Sequence, residues 1–387
     1  MSADPAALNV LHVVDSLERG GLERVVVDLA RAQRAAGGAP RVFCLYRTGG
    51  FAAELAAAGI PVLCGHKRDG FDLAALWRLR RAALAGCDVV HAHNLVPNYY
   101  AAAALRLAWR APAQIDTCHD MGTRLADPHL KRMYLWSVPR TQRFAMVADA
   151  VHEVYVGGGL VPAERSTIIY NGIPMQRFAH GPQVRAAMRE RLGVPAGAPL
   201  LGAVGRLVPL KNHASLIRVL PRLIARFPDV RLVLVGGGEL EGELRQLAAA
   251  SGHADRVLFT GEQSDVSGWL AALDVYAQPS DTEGMSIALL EACAAGLAVV
   301  ATHVGGNPKI VQQGISGLLV APRDDAALET ALAALLADPG RRAVLGRAAR
   351  QWVAEHASIE SMAAAYARLY AEARARPARA AQRGGTP

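Results

Sequence analysis

Paired cysteines are missing from this chain of 387 residues, because its five cysteines form no Cys-x-x-Cys motif. That argues against a thiolate zinc site or a redox dithiol, and single cysteines of this kind are typical of core residues in a reducing compartment. The longest apolar run, residues 287–304, contains Glu291 and His303, so no stretch is predicted to span a bilayer. The first residues show neither the basic segment nor the apolar core of a signal peptide. We therefore expect a cytoplasmic protein.

Two functional signatures are also absent. No Gly-x-Gly-x-x-Gly follows the first strand-like segment, residues 8–14, which argues against a dinucleotide-dependent oxidoreductase. The basic residues form no block of the nucleic-acid-binding kind, so no nucleic-acid partner is expected. The net charge of +8 instead fits anionic ligands or an anionic membrane surface.

The composition that is present describes a globular chain, with 52% hydrophobic and 20% charged residues. Strand-like and helix-like segments alternate from the start, where a strand, Gly20-Gly21 and a helix over residues 22–36 form a Rossmann-type opening. A second opening of this kind begins at residue 200. We therefore predict an N-terminal domain over residues 1–180 and a C-terminal domain over residues 181–356. A helix over residues 357–373 and a disordered tail over residues 374–387 follow.

The most informative stretch is residues 280–291, between a strand at residues 274–277 and a helix that Ser286 caps. A helix N-terminus offers unpaired N–H groups to an anion, and Gly284 lets the backbone approach a ligand closely. The carboxylates of Glu283 and Glu291 frame this turn. A phosphate cradle between two acids suits a nucleotide sugar, although an ordinary turn with two solvated acids is the alternative.

This stretch resembles the E-x7-E signature of family-4 retaining glycosyltransferases, since Glu283 and Glu291 are followed by a run of small residues and Gly305-Gly306. The resemblance implies the GT-B fold. In that α/β fold two Rossmann-like doubly wound domains face a cleft, and a C-terminal helix crosses back to the first domain. It also implies that Glu283 contacts the donor sugar and that Glu291 contacts the ribose. The backbone at Gly284, Met285 and Ser286 would then meet the diphosphate.

Other segments extend the resemblance. Gly205, Arg206 and Lys211 match the family's Gly-Arg-x4-Lys pattern, in which two cations neutralise the charge that develops on the leaving diphosphate. Gly237 lies in a Gly-rich turn after the strand at residues 230–235, a feature common to doubly wound folds. No Asp-x-Asp occurs, so the resemblance implies a metal-independent reaction that uses no cofactor.

The first half of the chain carries weaker signals. Gly20 and Gly21 resemble a turn that lies near the donor phosphates in this family, and a plain tight turn is the alternative. His119 and Asp120 match a Thr-x-His-Asp turn in which the histidine contacts the donor sugar near the reaction centre, and a structural histidine is the alternative.

Two features of the first half remain open. His91 and His93 lie two apart on one strand and point the same way, but no third ligand follows at a recognisable spacing, so we predict strand-end packing and no metal site. Residues 131–143 mix basic residues with Met, Tyr, Leu and Trp. Such a helix suits either an anionic membrane or core packing with a solvated basic face.

The sequence therefore predicts a retaining glycosyltransferase that moves a hexosyl group from a UDP-sugar or GDP-sugar to an acceptor hydroxyl. His119, Glu283, Arg206 and Lys211 would act in catalysis. The acceptor would be a carbohydrate or a lipid-linked sugar, in the polysaccharide or glycolipid biosynthesis that residues 17–27 suggest by their resemblance to bacterial surface-polysaccharide enzymes. The protein would be cytoplasmic or peripheral at the inner face of the cytoplasmic membrane. Another GT-B enzyme, such as a nucleotide-sugar epimerase or a phosphorylase, or a non-catalytic nucleotide-sugar-binding subunit, is the alternative.

Overall fold

A computed structural model describes residues 8–18 and 20–375. The chain divides into two compact units. Unit 1 contains the described residues up to Gly172 together with those from Ile359 onward, and unit 2 runs from Ile173 to Ser358. Within the described residues, no helix is both long enough and apolar enough to cross a membrane.

Unit 1 is built on a seven-stranded parallel sheet with the order β3-β2-β1-β4-β5-β6-β7. Its strands are β1 Val10–Ser16, β2 Arg41–Arg47, β3 Val62–Cys64, β4 Val89–His93, β5 Ala113–Cys118, β6 Arg143–Met146 and β7 Ser166–Ile168. Its first helices are α1 Gly21–Ala35, α2 Ala52–Ala57, α3 Leu73–Leu84, α4 Leu95–Leu105, α5 Pro128–Ser137 and α6 Asp149–His152. β4 and β5 are buried along their whole length, as expected of central strands with helices on both faces.

Unit 2 repeats this plan with six parallel strands in the order β10-β9-β8-β11-β12-β13. The strands are β8 Leu200–Val204, β9 Arg231–Val235, β10 Val257–Phe259, β11 Val275–Gln278, β12 Ala298–Thr302 and β13 Leu318–Val320. The helices are α7 Pro182–Arg191, α8 Ala214–Arg226, α9 Glu241–Ala250, α10 Ser267–Ala272, α11 Ile287–Ala294, α12 Asn307–Ile310, α13 Asp325–Ala337 and α14 Pro339–His356. The two Rossmann-like units predicted from the sequence are therefore confirmed.

The last helix, α15 Ile359–Ala375, belongs to unit 1. Its Tyr366 and Tyr370 are buried there, and the Gln33 side-chain amide of α1 donates a 2.9 Å hydrogen bond to the Tyr370 hydroxyl. The predicted return of the C-terminal helix to the first domain is thus confirmed. Residues 374 and 375, which we assigned to the tail, belong to α15, and residues 376–387 lie outside the described residues.

Two of the longer helices that the sequence analysis did not predict, α4 and α8, each contain a proline. In α4, Pro97 lies in the first turn, where its missing N–H would have no partner in the helix anyway. In α8, Pro221 lies inside the helix, which nevertheless continues to Arg226. The buried side chains of Leu216, Leu220 and Leu223 pack into the unit 2 core and stabilise α8 despite the lost hydrogen bond.

Candidate functional site

The order of strands in unit 2 places a ligand site at the ends of β8 and β11. These neighbouring strands lie where the chain reverses its direction of travel across the sheet. Ligands of open α/β sheets bind at such a switch point, outside the carboxyl ends of the strands. Gly205 and Arg206 follow β8, and the loop with Glu283 follows β11. Residues from the two predicted motifs therefore meet at one edge of the sheet.

Glu283 is held by three donors that converge on one carboxylate oxygen. Lys211 Nζ donates at 2.6 Å, Ser280 Oγ at 2.7 Å and Gln278 Nε2 at 2.5 Å, all to Oε1. Glu283 is buried, and within the described part of the chain its Oε2 has no hydrogen-bond partner. The carboxylate is thus fixed in place while one oxygen remains able to accept a hydrogen bond from a ligand.

The cations of the Gly-Arg-x4-Lys pattern occupy different environments. Lys211 forms an ion pair with Glu283 and is mostly covered. Arg206 is exposed, and no carboxylate among residues 8–18 and 20–375 pairs with it. An ammonium group has three donors, so Lys211 can hold Glu283 and an anionic ligand at once. This arrangement could bind a diphosphate.

Glycine turns bring the backbone close to this edge of the sheet. A Cβ on Gly236 would lie 2.1 Å from the Gly205 carbonyl oxygen, and one on Gly238 would lie 2.4 Å from the Leu207 carbonyl oxygen. Gly237, the predicted donor-binding residue between them, lies against Glu262 in the loop after β10. No side chain fits at Gly236 or Gly238 without displacing backbone.

A further glycine turn packs on the loop that carries Glu283. Gly305 has a φ of +51°, and its Cβ would lie 1.7 Å from the Glu283 carbonyl oxygen. Gly306 donates its N–H to the Gly284 carbonyl oxygen at 2.8 Å. The Gly-Gly pair quoted in the sequence motif therefore shapes the backbone on which Glu283 and Gly284 lie.

The helix after this loop begins as predicted. Ser286 caps α11, and its hydroxyl accepts a hydrogen bond from the Leu289 N–H at 3.3 Å. Met285 is buried just before the cap, and Glu291 lies buried inside α11. The donor-binding roles of Met285, Ser286 and Glu291 stay predictions, but all three lie on the segment that follows Glu283.

In unit 1 the equivalent switch point lies between β1 and β4. Gly20 and Gly21 follow β1, and α1 begins at Gly21. Gly20 has an extended backbone, and a Cβ there would meet only the flexible carboxylate end of Glu23. The backbone conformation and the space at Gly20 would therefore also accept residues other than glycine.

His119 lies directly after β5 and is half-buried. Its backbone N–H donates to Asn94 Oδ1 at 2.7 Å, and its Nε2 lies 3.0 Å from His93 Nδ1. Burial lowers the pKa of His119 to about 3, so the imidazole is neutral at physiological pH. Asp120 instead serves the local loop, since it accepts a hydrogen bond from the Gly122 N–H at 2.7 Å.

A third histidine, which the spacing of residues in the sequence could not reveal, lies beside His91 and His93. His12 on β1 pairs in register with His91 on β4, and the ligand nitrogens of His12, His91 and His93 lie within 4.8 Å of one another. This cluster could hold a metal ion only by giving up existing hydrogen bonds. Both His91 nitrogens already have hydroxyl partners, Tyr370 at 2.9 Å and Thr117 at 2.7 Å. The absence of a metal stays a prediction.

Several residues that organise the site were missed by the sequence analysis. Tyr276, Gln278 and Ser280 alternate along the end of β11, and side chains two apart on a strand share a face. The Tyr276 hydroxyl donates to Gln278 Oε1 at 2.6 Å, and Gln278 Nε2 donates to Ser280 Oγ at 2.9 Å. The alternation of polar residues before Glu283 was the available signal.

Two protein-family models match the chain, one in each unit. Residues 19–177 match the model described as Glycosyltransferase Family 4, and residues 184–352 match the model described as Glycosyl transferases group 1. The first range contains Gly20, Gly21 and His119, and the second contains the Glu283 loop.

Curated relatives match part of the chain. A GDP-mannose-dependent alpha-(1-6)-phosphatidylinositol monomannoside mannosyltransferase of Mycolicibacterium smegmatis is 40% identical over 194 residues, which is 48% of this chain and 50% of the relative. A D-inositol 3-phosphate glycosyltransferase of Thermobispora bispora is 36% identical over 223 residues, 55% of this chain and 51% of the relative. The chain thus spans about half the length of the curated relatives it matches.

Solved structures share the whole fold. Anabaena HepE in complex with UDP and glucose superposes with a TM-score of 0.84 at 23% identity, over 93% of this chain and 98% of that chain. WaaG, a glycosyltransferase involved in lipopolysaccharide biosynthesis, gives a TM-score of 0.75 at 20% identity, over 92% of this chain and 98% of that chain. The chain therefore matches a glycosyltransferase family model over each half, and it shares the GT-B fold of these solved structures.

Proposed function

We propose that this protein transfers a hexosyl group from a nucleoside diphosphate sugar to an acceptor hydroxyl, with retention at the anomeric carbon. The observation that carries the proposal is the unit 2 site, where the buried Glu283 carboxylate pairs with Lys211 and the turn after β12 packs on the Glu283 backbone. A fixed carboxylate can bind sugar hydroxyls, and a lysine beside closely packed backbone can bind a diphosphate.

The roles follow from the chemistry of each group. Arg206, Lys211 and the N–H groups at the start of α11 stabilise the negative charge that develops on the leaving diphosphate. Glu283 Oε2 accepts a hydrogen bond from a sugar hydroxyl, and Glu291 binds the ribose. His119, in unit 1, contacts the donor sugar near the reaction centre. Since cations of the chain serve the diphosphate, the reaction needs no metal and no cofactor.

The donor itself is proposed from the relatives. The mannosyltransferase named above uses GDP-mannose by its name, and HepE binds UDP and glucose in its crystal. We propose GDP-mannose as the first donor to test and UDP-glucose as the second. A lipid-linked sugar is the proposed acceptor, since that mannosyltransferase acts on a phosphatidylinositol monomannoside by its name.

An exposed patch on unit 1 supports an acceptor at a membrane. The residues that define this Trp109 patch are Arg106, Leu107, Trp109, Arg110 and Trp136. Leu107 and Trp109 are 93% and 97% exposed, and the Arg106 guanidinium lies 5.9 Å from the centre of the Trp136 ring. Exposed tryptophan beside arginine suits the headgroup region of an anionic bilayer. We propose that unit 1 rests on the inner face of the cytoplasmic membrane through this patch.

The donor site is tested by assaying nucleoside diphosphate release from GDP-mannose and UDP-glucose, with a polyprenyl- or inositol-linked sugar as acceptor. Losing one diphosphate-binding group should lower kcat/KM by about 10²- to 10³-fold in Arg206→Ala. Arg222→Ala removes an equally exposed arginine of unit 2 that pairs with Glu329, and it should keep full activity. Nucleotide release with a rearranged free sugar would favour an epimerase, and binding without turnover would favour a non-catalytic subunit.

The membrane proposal is tested by flotation with vesicles of phosphatidylcholine alone or mixed with phosphatidylglycerol. The wild-type protein should float only with the anionic vesicles, and Leu107→Ser with Trp109→Ser should abolish this. Val344→Ser, which removes an exposed apolar side chain from unit 2, is the control. Equal flotation of the double variant would overturn the assignment of this patch.

A further inference from the structure

Four side chains in unit 1 form a continuous hydrogen-bonded row that ends at His119. His119 Nε2 lies 3.0 Å from His93 Nδ1, and His93 Nε2 lies 3.1 Å from His12 Nδ1. His12 Nε2 lies 2.8 Å from Gln33 Oε1. The row crosses the sheet from β5 through β4 and β1 to α1, and His12, His93 and Gln33 are buried.

The tautomers of the His119, His93 and His12 rings depend on one another. A neutral imidazole has one nitrogen that donates and one that accepts, and each contact in the row needs one of each. The rings are neutral because burial lowers the pKa of His12 to about 4, of His119 to about 3, and of His93 well below its usual value. Fixing the donor at one end of the row therefore fixes it at the other end.

Gln33 determines which atom donates at the far end of the row from His119. Its Nε2 donates to the Tyr370 hydroxyl of α15 at 2.9 Å, so its Oε1 faces His12. The Tyr370 hydroxyl in turn lies 2.9 Å from His91 Nδ1, and His91 Nε2 lies 2.7 Å from Thr117 Oγ1. An amide turned the other way would reverse every donor in the row. With its Nε2 donating to Tyr370, the Gln33 amide has the orientation in which its Oε1 accepts from His12.

We propose that Gln33, His12 and His93 are positioning residues that hold His119 in its Nε2–H tautomer. Nδ1 is then the nitrogen left for a ligand, and it carries a lone pair. His119 thus accepts a hydrogen bond from a donor-sugar hydroxyl and does not donate one. This inference rests on the proposed function for the identity of the ligand but not for the tautomer itself.

The tautomer is read directly from the intact protein, labelled with ¹⁵N-histidine, by long-range proton–nitrogen correlation spectroscopy without substrate. His119→Gln identifies the His119 signals by their loss. We expect a hydrogen on Nε2 and none on Nδ1. A hydrogen on Nδ1, a charged ring at pH 7.5, or stoichiometric metal in the purified protein would overturn the proposal, since a metal would take nitrogens that now face one another.

Two tyrosines of α15 provide a matched pair for the role of Gln33. Tyr370→Phe removes the hydroxyl that orients the Gln33 amide, whereas Tyr366→Phe removes an equally buried hydroxyl that contacts Thr117 at 3.0 Å and not Gln33. Tyr370→Phe should populate both tautomers of His119, and equal populations lower kcat/KM for the donor about twofold with an unchanged Kd for the free nucleoside diphosphate. Tyr366→Phe should keep one tautomer.

Gln33→Met removes both amide contacts and should give the same mixture of tautomers. Should a phenylalanine variant fail to fold, Gln33→Met and the wild-type spectrum still decide the matter. A single Nε2–H tautomer in both Tyr370→Phe and Gln33→Met would overturn the role of Gln33. Mixed tautomers with an unchanged kcat/KM for the donor would overturn the effect on transfer. Failure of the proposed function would appear separately, as absence of nucleotide binding with an unchanged spectrum.

Discussion

Units 1 and 2 share one sheet plan but carry different chemical groups at the carboxyl ends of their central strands. In both, the chain starts at a central strand, moves outward by two strands, and then returns to the other side of the first strand. The carboxyl ends of the central strands carry neutral histidines in unit 1, His91 and His93 on β4. In unit 2 they carry Lys211 and Glu283 as an ion pair. The same plan therefore carries neutral imidazoles on β4 in unit 1 and an ion pair after β8 and β11 in unit 2.

The difference shows how burial and partners decide the chemistry of a site. The histidines of unit 1 have mainly each other and hydroxyl groups as partners, so burial lowers their pKa values and keeps them neutral. Glu283 is also buried, but a lysine and two further donors hold its carboxylate. A neutral site suits sugar hydroxyls, and a charged one suits a diphosphate. Fold alone would not have distinguished them.

The largest difference that we expect between the units is in stability at low pH, where unit 1 should lose more than unit 2. An unfolded histidine has a pKa of about 6.5, and the pKa of buried His12 is about 4, so between these values only the unfolded chain binds the proton. Stability is therefore lost as the pH falls through this window, by about 1.4 kcal/mol per pH unit for each such histidine. His91, His93 and His119 add to the effect in unit 1. In unit 2 the pKa of His213 is lowered in the same way.

Buried carboxyl groups of unit 1 work in the opposite direction. Burial raises the pKa of Asp116 and Asp15, so the folded state keeps protons that the unfolded state has lost. They offset part of the histidine effect, which still exceeds that of unit 2. Hydrogen exchange with mass spectrometry on the intact chain at pH 7 and pH 5 measures the opening free energy of each unit. Equal losses in both units would contradict the comparison.

The next largest difference that we expect is in the stability cost of glycine substitutions. Gly305→Ala places a Cβ 1.7 Å from the Glu283 carbonyl oxygen at a φ of +51°, so backbone must move, and we expect a loss on the order of 3 kcal/mol. Gly314→Ala, with a φ of +74° and open space, isolates the conformational cost of about 1 kcal/mol. Gly20→Ala in unit 1 should cost less than Gly305→Ala. Chemical denaturation measures all three, and equal costs at Gly305 and Gly314 would refute close backbone packing in unit 2.

The sequence predicted the parts of the molecule that local patterns encode. The apolar strands and the Ser286 cap both follow from residues close together in the chain, and the structure confirms them. The Glu283 loop was found because its glycine, cap and acids lie within a few residues. Gly305 and Gly306 were recognised through the resemblance, without their packing on Glu283.

What the sequence could not predict depends on register between distant strands. His12 and His93 are 81 residues apart, and they meet because β1 and β4 pair in parallel. The contact of Gln33 with Tyr370 joins residues 337 apart. Periodicity shows which face a side chain takes, but not which partner strand lies beside it or how far it is shifted. For this reason a third histidine was not expected.

The smallest effect that we expect concerns the Lys211–Glu283 ion pair of unit 2. Lys211→Met removes the charge that balances Glu283, and breaking a largely buried pair leaves a carboxylate with only its hydrogen bonds from Ser280 and Gln278. Because Lys211 is partly exposed, we expect a loss of about 2 kcal/mol in unfolding free energy, less than a fully buried pair would give. Glu283→Gln combined with Lys211→Met should recover part of it. A double-mutant cycle by urea denaturation measures the coupling, and strictly additive losses would show that the charges of unit 2 do not interact.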